Sequence, residues 1–345
     1  MKEDWVRIIE TAYDLVDDDG KWLAAVGEAV RPALDRGFGV VGYFFDASTS
    51  RLSTSGYVGI GAAPEHVEFA RRTHDVAAWQ SPELVRVTYR SGSALRYSTE
   101  MGGKFHRQLR AGTPQPFPDN PVRRVLILNA SDPSHTGCTL GAADPSPSPA
   151  VFRRRPQWAG VAAHIAAGLR LRRRLARLTE ASSRAEAILS PSGTILHAEG
   201  GATARTAREV LREAATAIEK ARGRLRRTDP DAALAMWRAL IEGRWSLIDR
   251  FDRDGRRFIV AHRNDAKARG LRALTLRERQ VMAYAAMAHS NKLIAYELGV
   301  SLGTVSAHLG AALAKLGLRS RIELVKLGAS LGTQRGHATS AKKPL

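Results

Sequence analysis

Residues Leu274–Lys326 read LTLRERQVMAYAAMAHSNKLIAYELGVSLGTVSAHLGAALAKLGLRSRIELVK, and the punctuation of this stretch predicts four short helices. Thr275 stands at an N-cap position, and Glu278, three residues on, completes a capping box, with Val281, Met282 and Ala285 on the inner face that follows. Ser290 or Asn291 caps a second helix whose Ile294, Ala295 and Leu298 face a core. Gly299 supplies the turn, and Ser301 or Gly303 opens a third helix with Val305, Leu309, Ala312, Leu313 and Leu316 at helical spacing. Two short helices joined by a turn containing glycine predict a helix-turn-helix.

The stretch resembles the LuxR-type (GerE-type) helix-turn-helix domain of bacterial transcription regulators. The matching residues are Leu274, Thr275, Arg277 and Glu278 at the entrance, Ser290, Asn291, Lys292, Ile294 and Ala295 in the scaffold helix, and Val300 and Ser301 in the turn. Thr304, Val305 and His308 match in the recognition helix, then Lys315, Leu316 and Gly317, and Ser320 and Arg321 before the last helix. The resemblance covers about 55 of 345 residues. It implies a duplex-DNA reader whose third helix enters the major groove, often as a homodimer with the fourth helix at the interface.

Charge agrees with that expectation: residues 271–328 hold 8 Lys and Arg against 3 acidic residues. Lys292, Lys315, Arg319 and Arg321 are the candidates for phosphate contact, which needs only charge and reach. Thr304, Ser306, Ala307, His308 and Gly310 are the candidates for the groove. The chain departs from the family in having Leu293 where Glu is usual and Ser306 where Lys is usual. The outward positions Ser306, Ala307, Gly310, Ala311 and Ala314 lack the Arg, Lys, Asn or Gln of a bidentate base contact. Readout is therefore expected to be modest, indirect or spread over a dimer. The competing reading is a helix-turn-helix kept as a fold and used for protein contact.

Working outward, residues 1–150 alternate helical and strand patterns. Asp4 to Val16 and Lys21 to Leu34 have helical spacing; Phe38 to Phe45, FGVVGYFF, reads as a buried strand with Arg51 to Val58 returning. Glu65 to Trp79 and Pro82 to Tyr89 read as crossover helices, and Arg123 to Asn129 with Gly137 to Ala142 as a second strand pair. This order and length resemble a GAF-like sensor module, with Tyr43, Phe45 and Tyr57 as candidate pocket walls and core residues as the alternative. DPSPSP at Asp144 to Pro149 ends the module. Residues 151–184 then read as a basic connecting helix, RLRRRLARL at its end; the charge run reads first as a solvated face, and the functional alternative sets Leu171, Leu175 and Leu178 on a side that pairs with a twin. Residues 185–265 resemble a small PAS-like module: a hairpin at Ala187 to His197, helices over Ala202 to Arg226 and Pro230 to Ile241, and a closing hairpin about Asp252 to Gly255. Its GRWSLIDRFDRDGRRF (Gly243 to Phe258) resembles a stretch found between the sensor and DNA-binding parts of some bacterial regulators. A polar tail, residues 333–345, is expected to be disordered. The fold class expected is thus α/β (α+β) sensor modules followed by an all-α four-helix domain over 270–330.

The net charge of +19 is lopsided: residues 1–150 hold 16 Lys and Arg against 18 Asp and Glu, and residues 151–345 hold 37 against 16. Such asymmetry suggests a phosphate-bearing partner for one part of the molecule. The single cysteine, Cys138, excludes an intramolecular disulfide and a Cys-rich zinc module. The start MKEDWVRIIE has charges where a signal peptide needs an apolar run, so none is expected, and the longest mostly apolar stretch, Trp158 to Leu169, is 12 residues, too short for a membrane span. A soluble cytoplasmic protein is expected. No GxxxxGK[ST], HExxH or paired CxxC occurs. His135 and Cys138 in SHTGC admit an activated thiol or a metal, but a lone cysteine on a strand reads first as a small buried hydrophobe. No catalytic set assembles, and neither an enzyme nor a cofactor is expected.

Overall fold

The computed structural model describes residues 3–15, 18–49, 51–75, 81–90, 93–101, 124–146, 149–177, 185–252, 254–265 and 274–325. Leu178, Lys326 and the polar tail at 333–345 lie outside them. Two helices open the chain, α1 (Trp5–Ala12) and α2 (Asp19–Leu34), each capped by an aspartate, Asp4 and Asp18, whose carboxylate accepts from a first-turn N–H. Strands β1 (Val40–Asp46), β2 (Ser53–Ile60), β3 (Leu95–Tyr97), β4 (Val125–Ser131) and β5 (Thr136–Ala143) form an antiparallel sheet in the order β2-β1-β5-β4-β3. Helices α3 (Pro64–Asp75) and α4 (Pro82–Val85), the latter running into a single π-turn, lie between β2 and β3 in the chain.

Strand periodicity divides the sheet's side chains between two cores. Phe44, Leu126, Leu128 and Ala130 join the main core with α1 and α2, whereas Tyr43, Phe45 and Ile127 join a smaller one with Leu84, Val85 and Tyr89. This is why FGVVGYFF is apolar at nearly every position: the strand is covered on both faces. β3 went unexpected, being only three residues long.

After α5 (Pro149–Arg153) comes α6 (Arg155–Leu175), the longest described helix at 21 residues. The second sheet, β6 (Ala187–Leu189), β7 (Ile195–Ala198), β8 (Trp245–Phe251) and β9 (Arg257–Arg263), is antiparallel in the order β7-β6-β9-β8. It shares the main core with α7 (Arg205–Lys220) and α9 (Pro230–Met236), between which lies the short α8 (Arg226–Thr228). Asp229 caps α9 with Pro230 at its first position, as the sequence leads one to expect. One contiguous core runs from Trp5 and Trp22 through the apolar length of α6 to Trp245 and Ala261.

Three expectations are corrected. The helix after Ala202 starts only at Arg205, behind a 3₁₀ turn over Gly200–Thr203. The helix from Pro230 stops at Met236, because Trp237 turns extended (φ −85°, ψ 104°) and Ile241 bridges Trp245 instead. Finally, Leu171 is 0% exposed inside the main core and Leu175 packs against it, so this stripe of α6 is an internal face and offers no surface to a twin helix.

The all-α part comprises α10 (Leu276–Ala286), α11 (Asn291–Leu298), α12 (Leu302–Lys315) and α13 (321–325). It has a core of its own, with Val281, Met282, Ile294, Leu298, Val305 and Leu309, into which Leu240 of the body also inserts. No described helix is long and apolar enough to cross a membrane.

Candidate nucleic-acid interface

Each helix of the C-terminal part starts on a side-chain cap. Thr275 accepts from the Glu278 N–H while the Glu278 carboxylate accepts from the Thr275 N–H, the reciprocal box read from the sequence. Ser290 caps α11 and Ser301 caps α12, so of the alternatives left open the serine is used both times. Gly299 closes α11 in the left-handed region (φ 62°), and a Cβ there would lie 1.9 Å from the carbonyl oxygen of Leu240. The turn needs glycine for its backbone and for its neighbour.

The outer face of α12 is open. Ser306, Ala307, Gly310, Ala311 and Ala314 are exposed, and nothing lies within 4 Å of where a Cβ on Gly310 would be. Thr304 is half-buried with its hydroxyl 2.8 Å from Ser301 Oγ, and His308 is half-buried.

The four candidate cations divide. Lys315 Nζ stands 2.8 Å from both carboxylate oxygens of Glu278, which holds that carboxyl below its ordinary range, the Thr275 N–H adding to the effect. Arg321 donates to Asn291 Oδ1 at 2.7 Å and to the His289 carbonyl, tying α13 to the start of α11, and burial lowers its pKa. Lys292 and Arg319 are exposed, and no side-chain ion partner for either occurs among the described residues. The structure therefore places two of the four inside the domain's own framework and leaves two facing outward.

A docking contact joins this domain to the body, and nothing in the sequence reading anticipated it. The Tyr296 ring of α11 lies against Gly160 of α6, where a Cβ would meet ring atoms at 3.4 Å. Its hydroxyl lies 2.9 Å from the carbonyl oxygens of Leu234 and Trp237 and 2.8 Å from His164 Nε2. His164 is fully buried, and Nε2 also lies 2.8 Å from the Trp237 carbonyl, which can only accept, so Nε2 carries the proton. Nδ1 is 3.2 Å from the Tyr13 hydroxyl. Burial pushes the His164 pKa down to about 3. The Gly243 N–H donates to the Leu298 carbonyl and Gln280 Nε2 to the Gly243 carbonyl, so backbone bonds reinforce the contact. The available signal was a histidine and two glycines inside the apolar run of α6, residue types that such a run carries only when something approaches closely.

The N-terminal candidates fall into a polar knot. The Tyr43 hydroxyl meets Tyr89 at 3.0 Å, Tyr57 meets His74 Nδ1 at 2.8 Å, and His74 Nε2 meets Tyr89 at 3.1 Å. Burial lowers the His74 pKa to about 4 and raises those of the three tyrosines. Phe45 packs on Tyr89 and also reaches a cleft beside α6. Cys138 is buried, its thiol pushed up to about 12 by desolvation, the opposite of an activated thiolate. His135 holds a left-handed backbone (φ 62°), and burial lowers its pKa to about 4. No metal-holding cluster of His, Cys, Asp and Glu occurs among the described residues.

Comparison with known proteins adds one finding. Residues 272–327 match the model of the family described as bacterial regulatory proteins, luxR family. No curated protein matches the chain. The matched residues take in the capped helices, the Gly299 turn and the open face of α12, and such a domain supports a DNA-binding transcription regulator. Residues 272–327 of this chain are a helix-turn-helix domain of the luxR family of bacterial regulatory proteins.

Proposed function

We propose that the chain is a one-component transcription regulator, in which a GAF-like module over residues 1–150 and a PAS-like module over 185–265 control the duplex-DNA reader. The observation that carries this reading is the open outer face of α12 on a domain held to the body through Tyr296 and His164. Control then acts on how the docked domain is presented, with no need to uncover the reading helix. A signal that favours one packing of the body over another shifts the population of presentable readers. The exposed Ile322 of α13 (67%) supports pairing of two copies along the fourth helix. Lys292 and Arg319 are the proposed phosphate contacts; Ser306, Ala307 and Gly310 are proposed to lie along the groove, with Thr304 and His308 beside them. The reading involves no catalysis and places the protein in the cytoplasm.

The test is selection of bound sequences from a random duplex library with the full chain at about 150 mM salt, followed by affinity against salt. Enrichment of a shared site and a steep fall of affinity with salt are expected. Absence of enrichment from a folded chain overturns the reading.

A second reading is favoured by the bland chemistry of α12: an adaptor that keeps the fold for protein contact. On that reading Ser306→Lys creates DNA affinity that the native chain lacks, whereas a regulator already binds and gains only a steeper salt dependence.

A further inference from the structure

Arginines 170, 173, 174 and 177 follow the spacing that puts side chains on one face of a helix, at the end of α6 and just beyond it. All four border a cleft of about 770 Å³ between the β1–β2 edge, the β4–β5 turn and Asn264–Asp265 beyond β9. The volume lies in the range of small-molecule sites, and the position, between two sheets and a helix, is where such sites concentrate.

Arg170 and Arg173 are held in place, and among the described residues only Arg174 has a carboxylate beside it. Arg170 Nε donates to Asn264 Oδ1 at 3.0 Å; Asn264 is fully buried and fixed in turn by the Ala167 carbonyl and Ser246 Oγ. The Arg173 guanidinium lies 5.3 Å above the Phe44 ring. Arg174 stands 3.9 Å from Asp265, which Arg263 also engages. The other carboxylates at the rim are turned onto their own loops: Asp132 accepts from the Ser134 N–H and Asp46 from the Ser48 N–H, each at 2.8 Å. Among the described residues no carboxylate lies within 4.0 Å of Arg170, Arg173 or Arg177. Three guanidinium groups with no carboxylate partner among the described residues, bordering one concave space, suit oxyanions, which planar forks bind in pairs of hydrogen bonds.

We infer that this cleft binds a small molecule carrying at least two oxyanion groups, phosphate or carboxylate, with an uncharged portion toward Phe44. A concave space of this size excludes a duplex. The inference rests on the sensor reading above for its consequence, and Arg170 supplies the route: it also borders a water-sized cavity of about 10 Å³ with Tyr284 and Glu297 of the luxR-family domain. An anion that draws Arg170 toward the cleft changes what faces Tyr284.

The test uses the full chain, with inorganic pyrophosphate and citrate as probes, titrated calorimetrically and by thermal melting against sodium chloride of equal ionic strength. The variant R173Q/R177Q removes two charges from the cleft, and R224Q/R227Q removes two exposed charges elsewhere. Millimolar or tighter binding is expected in the native chain, weakened about tenfold in R173Q/R177Q and unchanged in R224Q/R227Q. A preference for pyrophosphate assigns a phosphorylated ligand, and a preference for citrate a carboxylated one. Equal binding by both double variants or no binding by the native chain overturns the inference. DNA selection runs in parallel: anion binding that leaves DNA affinity unchanged keeps the site and removes the sensor reading, and a DNA reader that binds no anion does the reverse.

Discussion

The hydroxyl of Tyr296 stands 2.8 Å from Nε2 of His164, joining the scaffold helix of the luxR-family domain to the central helix of the body. The bond is one of several buried polar contacts that fix how the domain sits, and the Arg238 guanidinium lies 5.7 Å from the centre of the Tyr296 ring.

Tyr296→Phe keeps the ring against Gly160 and deletes the hydroxyl, leaving His164 and two carbonyls one partner short. A loss of about 1–3 kcal/mol in urea denaturation is expected, with faster amide exchange in α11 than in the rest of the chain. An unchanged midpoint would mean that the hydroxyl bond holds nothing in solution.

Four histidines share a direction of shift. His164 is lowered to about 3, and His74, His135 and His262 to about 4, all with burial as the largest cause. Each is neutral when folded and takes up a proton on unfolding as pH falls below its ordinary 6.5. Their contribution is complete above about pH 6.5 and is lost progressively down to pH 4, and for His164 to pH 3. Each removes about 1.4 kcal/mol per pH unit within its window. Urea midpoints measured from pH 7 to pH 5 are expected to fall steeply, and a flat profile would contradict the buried neutral state.

Two glycines of the reading motif predict opposite outcomes. Gly299→Ala meets both a left-handed backbone and the Leu240 carbonyl, so a loss above about 2 kcal/mol is expected. Gly310→Ala meets nothing within 4 Å in an exposed helix interior and is expected to gain up to about 1 kcal/mol. Thermal melting of the two variants beside the native chain decides; equal effects would sink the contrast.

Lys315 and Lys292 separate framework from contact. Lys315→Met breaks the pair with Glu278 and is expected to lower the melting temperature. Lys292→Gln is expected to leave melting unchanged while reducing the slope of log affinity against log salt by about 1. The reverse pattern would exchange their roles.

The helix-turn-helix was legible because its determinants are local: a cap, a box three residues wide and a glycine at the turn all act within one helical turn. What escaped depends on distance along the chain. Lys315 reads as a free cation until Glu278, 37 residues earlier, is folded against it. Residues 237–241 read as helix because Trp237, Leu240 and Ile241 are apolar. Yet Leu240 belongs to the core of the luxR-family domain while Trp237 and Ile241 belong to that of the body. The arginine run read as a linker because sequence does not show that three other elements close a cleft around it. The partners of the Tyr43 and Tyr57 hydroxyls, Tyr89 and His74, lie 46 and 17 residues along the chain and are equally invisible in the sequence.

Because α6 is wrapped by both sheets and touched by the reader, it has no independent existence as a spacer. A change in its length by one residue would rotate Gly160 away from Tyr296 and the arginines away from their cleft by about 100°. Recombination of such a reader with a foreign sensor therefore cannot splice at this helix. Insertions and deletions there are expected to be purged.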